Sequence, residues 1–109
     1  MSWEPEIEEL RRREAMARQM GGADKVARQR KAGKLTVRER IAELLDPGTF
    51  HEIGALTGRS RYDPEGALEE VVPANTVFGR GRIDGRAVVV CGDDFTVRGG
   101  AADAAIWQK

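Results

Sequence analysis

The sequence predicts an α/β chain of the segregated α+β kind, with helices in its first half and strands in its second. Three observations carry that reading. Thr36 and Glu39 have capping-box spacing, and Val37, Ile41, Leu44 and Leu45 follow at i, i+4, i+7 and i+8. Residues 76–83 and 86–91 are β-type runs around Asp84-Gly85, the pair that a two-residue type I′ hairpin prefers. The 109 residues are the size of a single domain.

Taken in order, residues 5–20 read as a helix. Pro5 suits the first turn, and Glu8–Arg12 and Glu9–Arg13 are i,i+4 pairs of the favourable orientation. Its apolar stripe is weak, so it needs something larger to lie against, and Gly21-Gly22 ends it. A second short helix spans 24–32, capped by Asp24 and ended by Gly33. Asp46-Pro47-Gly48 stops the third. Residues 49–56 alternate enough for a short strand, whereas 57–75 are turn-rich and polar and read as a surface excursion. In the hairpin, Val88-Val89-Val90 suits a strand covered on both faces. Gly79 and Gly81 share one strand face, which implies close approach by another backbone or a ligand. Residues 92–100 read as a turn and a further short strand broken by Gly99-Gly100, with a helix beginning at the alanine-rich 101–109.

Composition excludes several classes. Leu, Ile, Val and Phe number 23, or 21% of the chain, and 18 basic residues cancel 18 acidic ones, so wholesale disorder is not expected. The apolar stock is thin for a self-contained core, which places part of the core in a partner or in chain beyond these residues. No apolar run is long enough to span a bilayer, and the acidic start, Met1 to Glu6, resembles neither a signal nor a transit peptide. One cysteine, Cys91, cannot form an internal disulfide, which fits a reducing cytoplasm; within a valine run it reads as a buried apolar residue. One Cys and one His make no zinc site.

The candidate chemistry is sparse. Gly79-Arg80-Gly81-Arg82 lacks the third glycine of a dinucleotide fingerprint and precedes a hairpin instead of a helix. Residues 25–40 hold seven basic side chains and one acid. That stretch could serve a nucleic acid, a small ligand's phosphate, or simply a solvated helical surface or docking face for acidic partners. No aromatic residue is interleaved for base stacking, and the neutral total charge argues against nucleic acid. Asp93 and Asp94 point to opposite strand faces and make a poor acid/base pair; turn capping suits them better. His51 has no companion nucleophile. Arg98-Gly99-Gly100-Ala101 forms a strand–glycine–helix junction, where free N–H groups could meet an anion or a carbonyl oxygen.

Gly33–Gly54 (GKLTVRERIAELLDPGTFHEIG), Val77–Gly100 (VFGRGRIDGRAVVVCGDDFTVRGG) and the following AADAA resemble the opening of the carboxyltransferase subunit of biotin-dependent acyl-CoA carboxylases. The resemblance covers about residues 20–109, as two ordered blocks at family spacing. It implies a crotonase-like fold of repeated ββα units, with 1–22 a variable N-terminal helix and 23–109 the incomplete start of the N-terminal carboxyltransferase domain. It implies transfer of a carboxyl group from carboxybiotin to the α-carbon of an acyl-CoA, where backbone donors stabilise the developing enolate. It also implies biotin carried by a partner, a biotin carboxylase or biotin-carrier subunit, homo-oligomers at full length, a cytoplasmic setting, and no metal, nucleic acid or membrane partner. Family members are several times longer and their catalytic positions lie beyond this stretch, so no catalytic residue is carried over. Arg98, Gly99, Gly100 and Ala101 match a segment that could line the acyl-CoA side of the site. The expected function is therefore the N-terminal part of such a subunit, inactive alone. The alternative is a small non-catalytic protein that docks on a carboxylase subunit.

Overall fold

A computed structural model describes residues 1–101. Three helices come first: α1 (Glu4–Arg18), α2 (Ala23–Lys31) and α3 (Val37–Leu44). Five strands follow: β1 (His51–Ile53), β2 (Gly58–Tyr62), β3 (Leu68–Pro73), β4 (Thr76–Ile83) and β5 (Arg86–Asp93), then a 3-10 turn at Arg98–Gly100. The strands form two antiparallel sheets, β1-β4-β5 and β2-β3. The expected helix at 101–109 lies outside the described residues beyond Ala101.

The hairpin β4–β5 forms as its turn chemistry dictates. Asp84 and Gly85 have φ of 50° and 79°, the two positive values that a type I′ turn requires. Asp46 fastens this turn from outside, its carboxylate accepting from the Asp84 and Gly85 amides at 2.9 and 2.8 Å. One face of the hairpin carries the main core. Val37, Ile41 and Leu45 of the α3 face pack on Val77, with Phe50, Ile83, Val88 and Val90 around them. The strand glycines make this contact possible: a Cβ on Gly81 would sit 2.6 Å from a Leu45 methyl, and one on Gly92 2.5 Å from a Val37 methyl. Close approach at Gly79 comes from the backbone of β1 and the Phe50 ring. The close-approach reading of these positions is thus met by the chain itself.

A second, smaller core lies apart, where Ala17 of α1 packs on Leu68 and Val71 of β3. Arg13 tightens this contact by donating to the Tyr62 hydroxyl at 2.6 Å, its guanidinium 5.6 Å from the ring centre. Two small cores leave the molecule open. Its radius of gyration is 15.2 Å, against about 13 Å for a compact domain of 100 residues.

Several expectations need correction. Residues 57–75 are not an excursion but the β2–β3 hairpin. Its strand character is disguised by a register shift between Arg61 and Tyr62 and by charged exposed residues, with Arg61 pairing Glu69 and Glu70 at 3.3 and 3.2 Å. The strand expected over 49–56 shrinks to His51–Ile53. No strand forms in 94–98, because Asp94 and Thr96 turn the chain instead. Asp24 does not cap α2; Gly22 holds the N-cap position at φ 102° and Asp24 sits in the first turn. Leu44 is 53% exposed, so the buried face of α3 is narrower than its sequence stripe. Cys91 is exposed and Val89 is 70% exposed, because only one face of β5 is covered by α3. Among the described residues, no helix is long and apolar enough to cross a membrane.

Candidate functional site

Six of the seven bases of 25–40 divide into two populations once folded, and Lys31 belongs to neither. Arg30 reaches Glu39 at 3.1 Å, and Arg38 forms a fork with Glu52 at 2.7 and 3.0 Å. Lys25, Arg28, Lys34 and Arg40 make no ion pair among the described residues and instead line one groove. Lys25 and Arg28 stand one turn apart on α2, and Arg40 one turn from Val37 on α3. Lys34 is held between the helices, where its amide donates to the Gln29 carbonyl at 3.2 Å and Gln29 Nε2 donates to the Leu35 carbonyl at 2.6 Å.

The capping box orients α3 in this arrangement. The Glu39 amide donates to Thr36 Oγ1, and the Thr36 amide donates to Glu39 Oε1, each at 3.2 Å. Contacts with Thr36, side chain first and backbone N–H next, and with Arg30 hold the Glu39 carboxyl below the usual carboxylate range.

The opposite wall is the segment after β5, with Asp93, Phe95, Thr96 and Gly99. The segment is pinned from beneath. The buried Asp94 accepts from the Thr96 amide at 2.9 Å and the Thr96 hydroxyl at 2.6 Å, and its own amide donates to the Asn75 carbonyl at 2.8 Å. The side-chain amide of Asn75 donates to the Ala101 carbonyl. The turn-capping role expected of an Asp is therefore taken by Asp94, while Asp93 faces outward at the groove.

The result is a cavity of about 440 Å³ with four unpaired cations, one acid, an apolar floor at Val37 and a 67% exposed Phe95 ring on its rim. Such a groove favours an anionic, elongated ligand that also carries a flat or apolar part.

The four expected site residues separate. Gly99 lines the groove. Arg98, with φ 50°, lines a different depression between α1 and β3, beside Met16 and Val71. Gly100 lies against the Phe95 ring. The Gly100 and Ala101 amides donate to Val97 and Arg98 carbonyls at 3.2 and 3.1 Å, so these two N–H groups are spent inside the turn. His51 pairs across β1 with Arg80 and is exposed. Among the described residues, no cluster of His, Cys, Asp and Glu could hold a metal ion. Phe95, Thr96 and Asn75 were not signalled by the sequence. Their roles depend on where the turn after β5 falls, and no local pattern marks it.

Comparison with known proteins gives a consistent result. Residues 28–109 match the family model described as the carboxyl transferase domain. The whole chain is 40% identical over 111 aligned positions to the carboxyltransferase subunit of propionyl-CoA carboxylase from Haloferax mediterranei, covering 21% of that relative. It is 46% identical over 91 residues to the mitochondrial propionyl-CoA carboxylase beta chain of Rattus norvegicus, with 82% of this chain and 17% of that one aligned. Among solved structures it superposes on transcarboxylase 12S, a hexamer described with methylmalonyl-coenzyme A and methylmalonic acid bound. That superposition has a TM-score of 0.77 and 41% identity, over 94% of this chain and 20% of that one. The chain spans about a fifth of the length of these relatives.

Proposed function

Since the chain belongs to the carboxyl transferase domain family and has its crotonase-like fold, we propose that it is the N-terminal part of an acyl-CoA carboxylase carboxyltransferase subunit. In this reading residues 1–22 are a variable leading helix, and 23–109 begin the N-terminal carboxyltransferase domain. The whole protein would move a carboxyl group from carboxybiotin to the α-carbon of an acyl-CoA. Carboxybiotin, when bound, would supply the carboxyl group and take up the α-proton in exchange. Biotin would arrive on a biotin carboxylase or biotin-carrier partner, and the full-length subunit would act as a homo-oligomer in the cytoplasm. The described residues do not themselves build a biotin cradle, because the Gly100 and Ala101 amides are already committed. No step through biotin is assigned to them, and the isolated chain is inactive.

This stretch would contribute to holding substrate. The observation that carries this is the groove of Lys25, Arg28, Lys34 and Arg40 with Gly99 and Phe95 on its far wall. Coenzyme A has clustered phosphates and a flat base, which match four free cations beside an exposed ring. Of Arg98, Gly99, Gly100 and Ala101, Gly99 would face the acyl-CoA beside the cations, while Arg98 faces the depression between α1 and β3.

NMR titration of the chain with coenzyme A tests this. Amides of Lys25–Lys34 and Phe95–Gly99 should shift, and an Arg28→Glu, Arg40→Glu double variant should lose the response. No shift at the groove, or the same shift in the double variant, overturns the assignment. The chain alone should show no decarboxylation of malonyl-CoA or methylmalonyl-CoA with free biotin; measurable turnover would contradict its incompleteness.

A further inference from the structure

The far wall of the groove is a partition between two depressions. Phe95, Thr96 and Gly99 face the cation-lined cavity, whereas Val97 and Arg98 line the depression beside Met16 and Val71. With open space on both sides, its shape has to be imposed from its ends. Its backbone is also unfavourable by itself. Arg98, Gly99 and Gly100 have φ of 50°, 60° and 75°, three successive left-handed residues of which one bears a side chain.

Both ends meet one residue. Asn75, in the link between β3 and β4, accepts from the Asp94 amide at 2.8 Å through its main-chain carbonyl. Its side-chain Nδ2 donates to the Ala101 carbonyl. The partition from Asp94 to Ala101 is thus bracketed by a single side chain and its own backbone, with a tie midway from Thr96 Oγ1 to the Gly21 amide. Any residue could make the main-chain bond; the second needs a donor of this length. Asn75 is 1% exposed, and its Oδ1 has no hydrogen-bond partner among the described residues. Burying a carboxamide with its acceptor unused is unfavourable, and an apolar residue of the same size would pack there at less cost. The bond to Ala101 is therefore what this position supplies. Holding Ala101 also holds Gly100, where a Cβ would stand 3.3 Å from the Phe95 ring.

We infer that Asn75, which does not itself line the groove, is a positioning residue for the ligand: it fixes the partition and so the Phe95 ring and Gly99 opposite the four cations. The inference rests on the reading of the groove as a coenzyme A site.

The 109-residue chain with Asn75→Leu, which keeps the volume and removes the donor, tests this. By hydrogen exchange, the Thr96, Val97, Gly100 and Ala101 amides should exchange at least about tenfold faster, while the β4–β5 ladder stays protected. Coenzyme A, titrated by calorimetry, should bind about tenfold more weakly, with an unchanged salt dependence because the cations are untouched. Phe95→Leu should weaken binding about fivefold in the parent and less than about twofold in the Asn75→Leu background, where the ring is already released. Asn75→Ala should repeat the pattern. Unchanged exchange in the partition, an equal Phe95→Leu loss in both backgrounds, or an altered salt dependence overturns the inference. So does protection lost throughout β4 and β5 in both variants, which would make Asn75 a core residue of the hairpin. A parent that binds no coenzyme A overturns the reading of the groove instead, and the exchange result then decides whether Asn75 holds the wall.

Discussion

The amide of Gly21 donates to Thr96 Oγ1 at 2.9 Å, and a Cβ on Gly21 would stand 1.7 Å from the Thr96 carbonyl oxygen. Residues 75 apart in sequence are thereby locked together, and the link between α1 and α2 is tied to the wall of the groove. Gly21→Ala forces this contact apart. It should destabilise the chain by about 1–3 kcal/mol, the usual range for overpacking, read as a lower urea midpoint. Unchanged stability would show that the two segments can part without cost.

The Arg38–Glu52 pair joins α3 to β1 and is mostly buried, with side chains 23% and 12% exposed. Removing one partner should cost more than removing both. Glu52→Ala strands the Arg38 guanidinium and should cost about 2–4 kcal/mol, whereas Arg38→Met with Glu52→Leu should lie close to the parent. Equal losses in the two variants would mean that the pair is held by packing instead of charge.

Glu39 gives the chain an acid-sensitive helix start. Its carboxyl is held below the ordinary range when folded, by Thr36 first and then Arg30. Its contribution is therefore fully present above the unfolded carboxylate pKa and is lost as pH falls through the lower, folded value. Thr36→Ala should remove about 1 kcal/mol at neutral pH and move the Glu39 titration, followed by NMR, back toward the ordinary range. A Glu39 titration unmoved in that variant would separate the cap from the shift.

The bare face of β5 predicts a change without a stability cost. Val89 is 70% exposed, so Val89→Thr should alter unfolding by less than about 0.5 kcal/mol. It should reduce binding of a hydrophobic dye, because Val89 joins the exposed Cys91 and the 39% exposed Ile53 on an apolar sheet surface. Undiminished dye binding would place the sticky surface elsewhere.

What was legible in the sequence was local. The capping box of Thr36 and Glu39, the Asp84-Gly85 turn and the pairing of the runs around it are set by neighbours a few residues apart, where backbone propensity and side-chain capping decide the outcome. Two ordered blocks of residues were also enough to indicate the family. The structure decided what distance in sequence conceals. The β2–β3 hairpin reads as polar loop because β2 buries no side chain, β3 buries only Leu68, Val71 and Pro73, and the pair carries a register shift. The valine run and Cys91 read as buried because their apolarity is visible, while the covering of just one face depends on where α3 lies. The seven bases of 25–40 look alike in sequence. Only packing turned Arg30 and Arg38 toward Glu39 and Glu52 and left four free cations around a groove. Propensity acts within a few residues, whereas burial and charge pairing are settled by contacts that the folded backbone brings together.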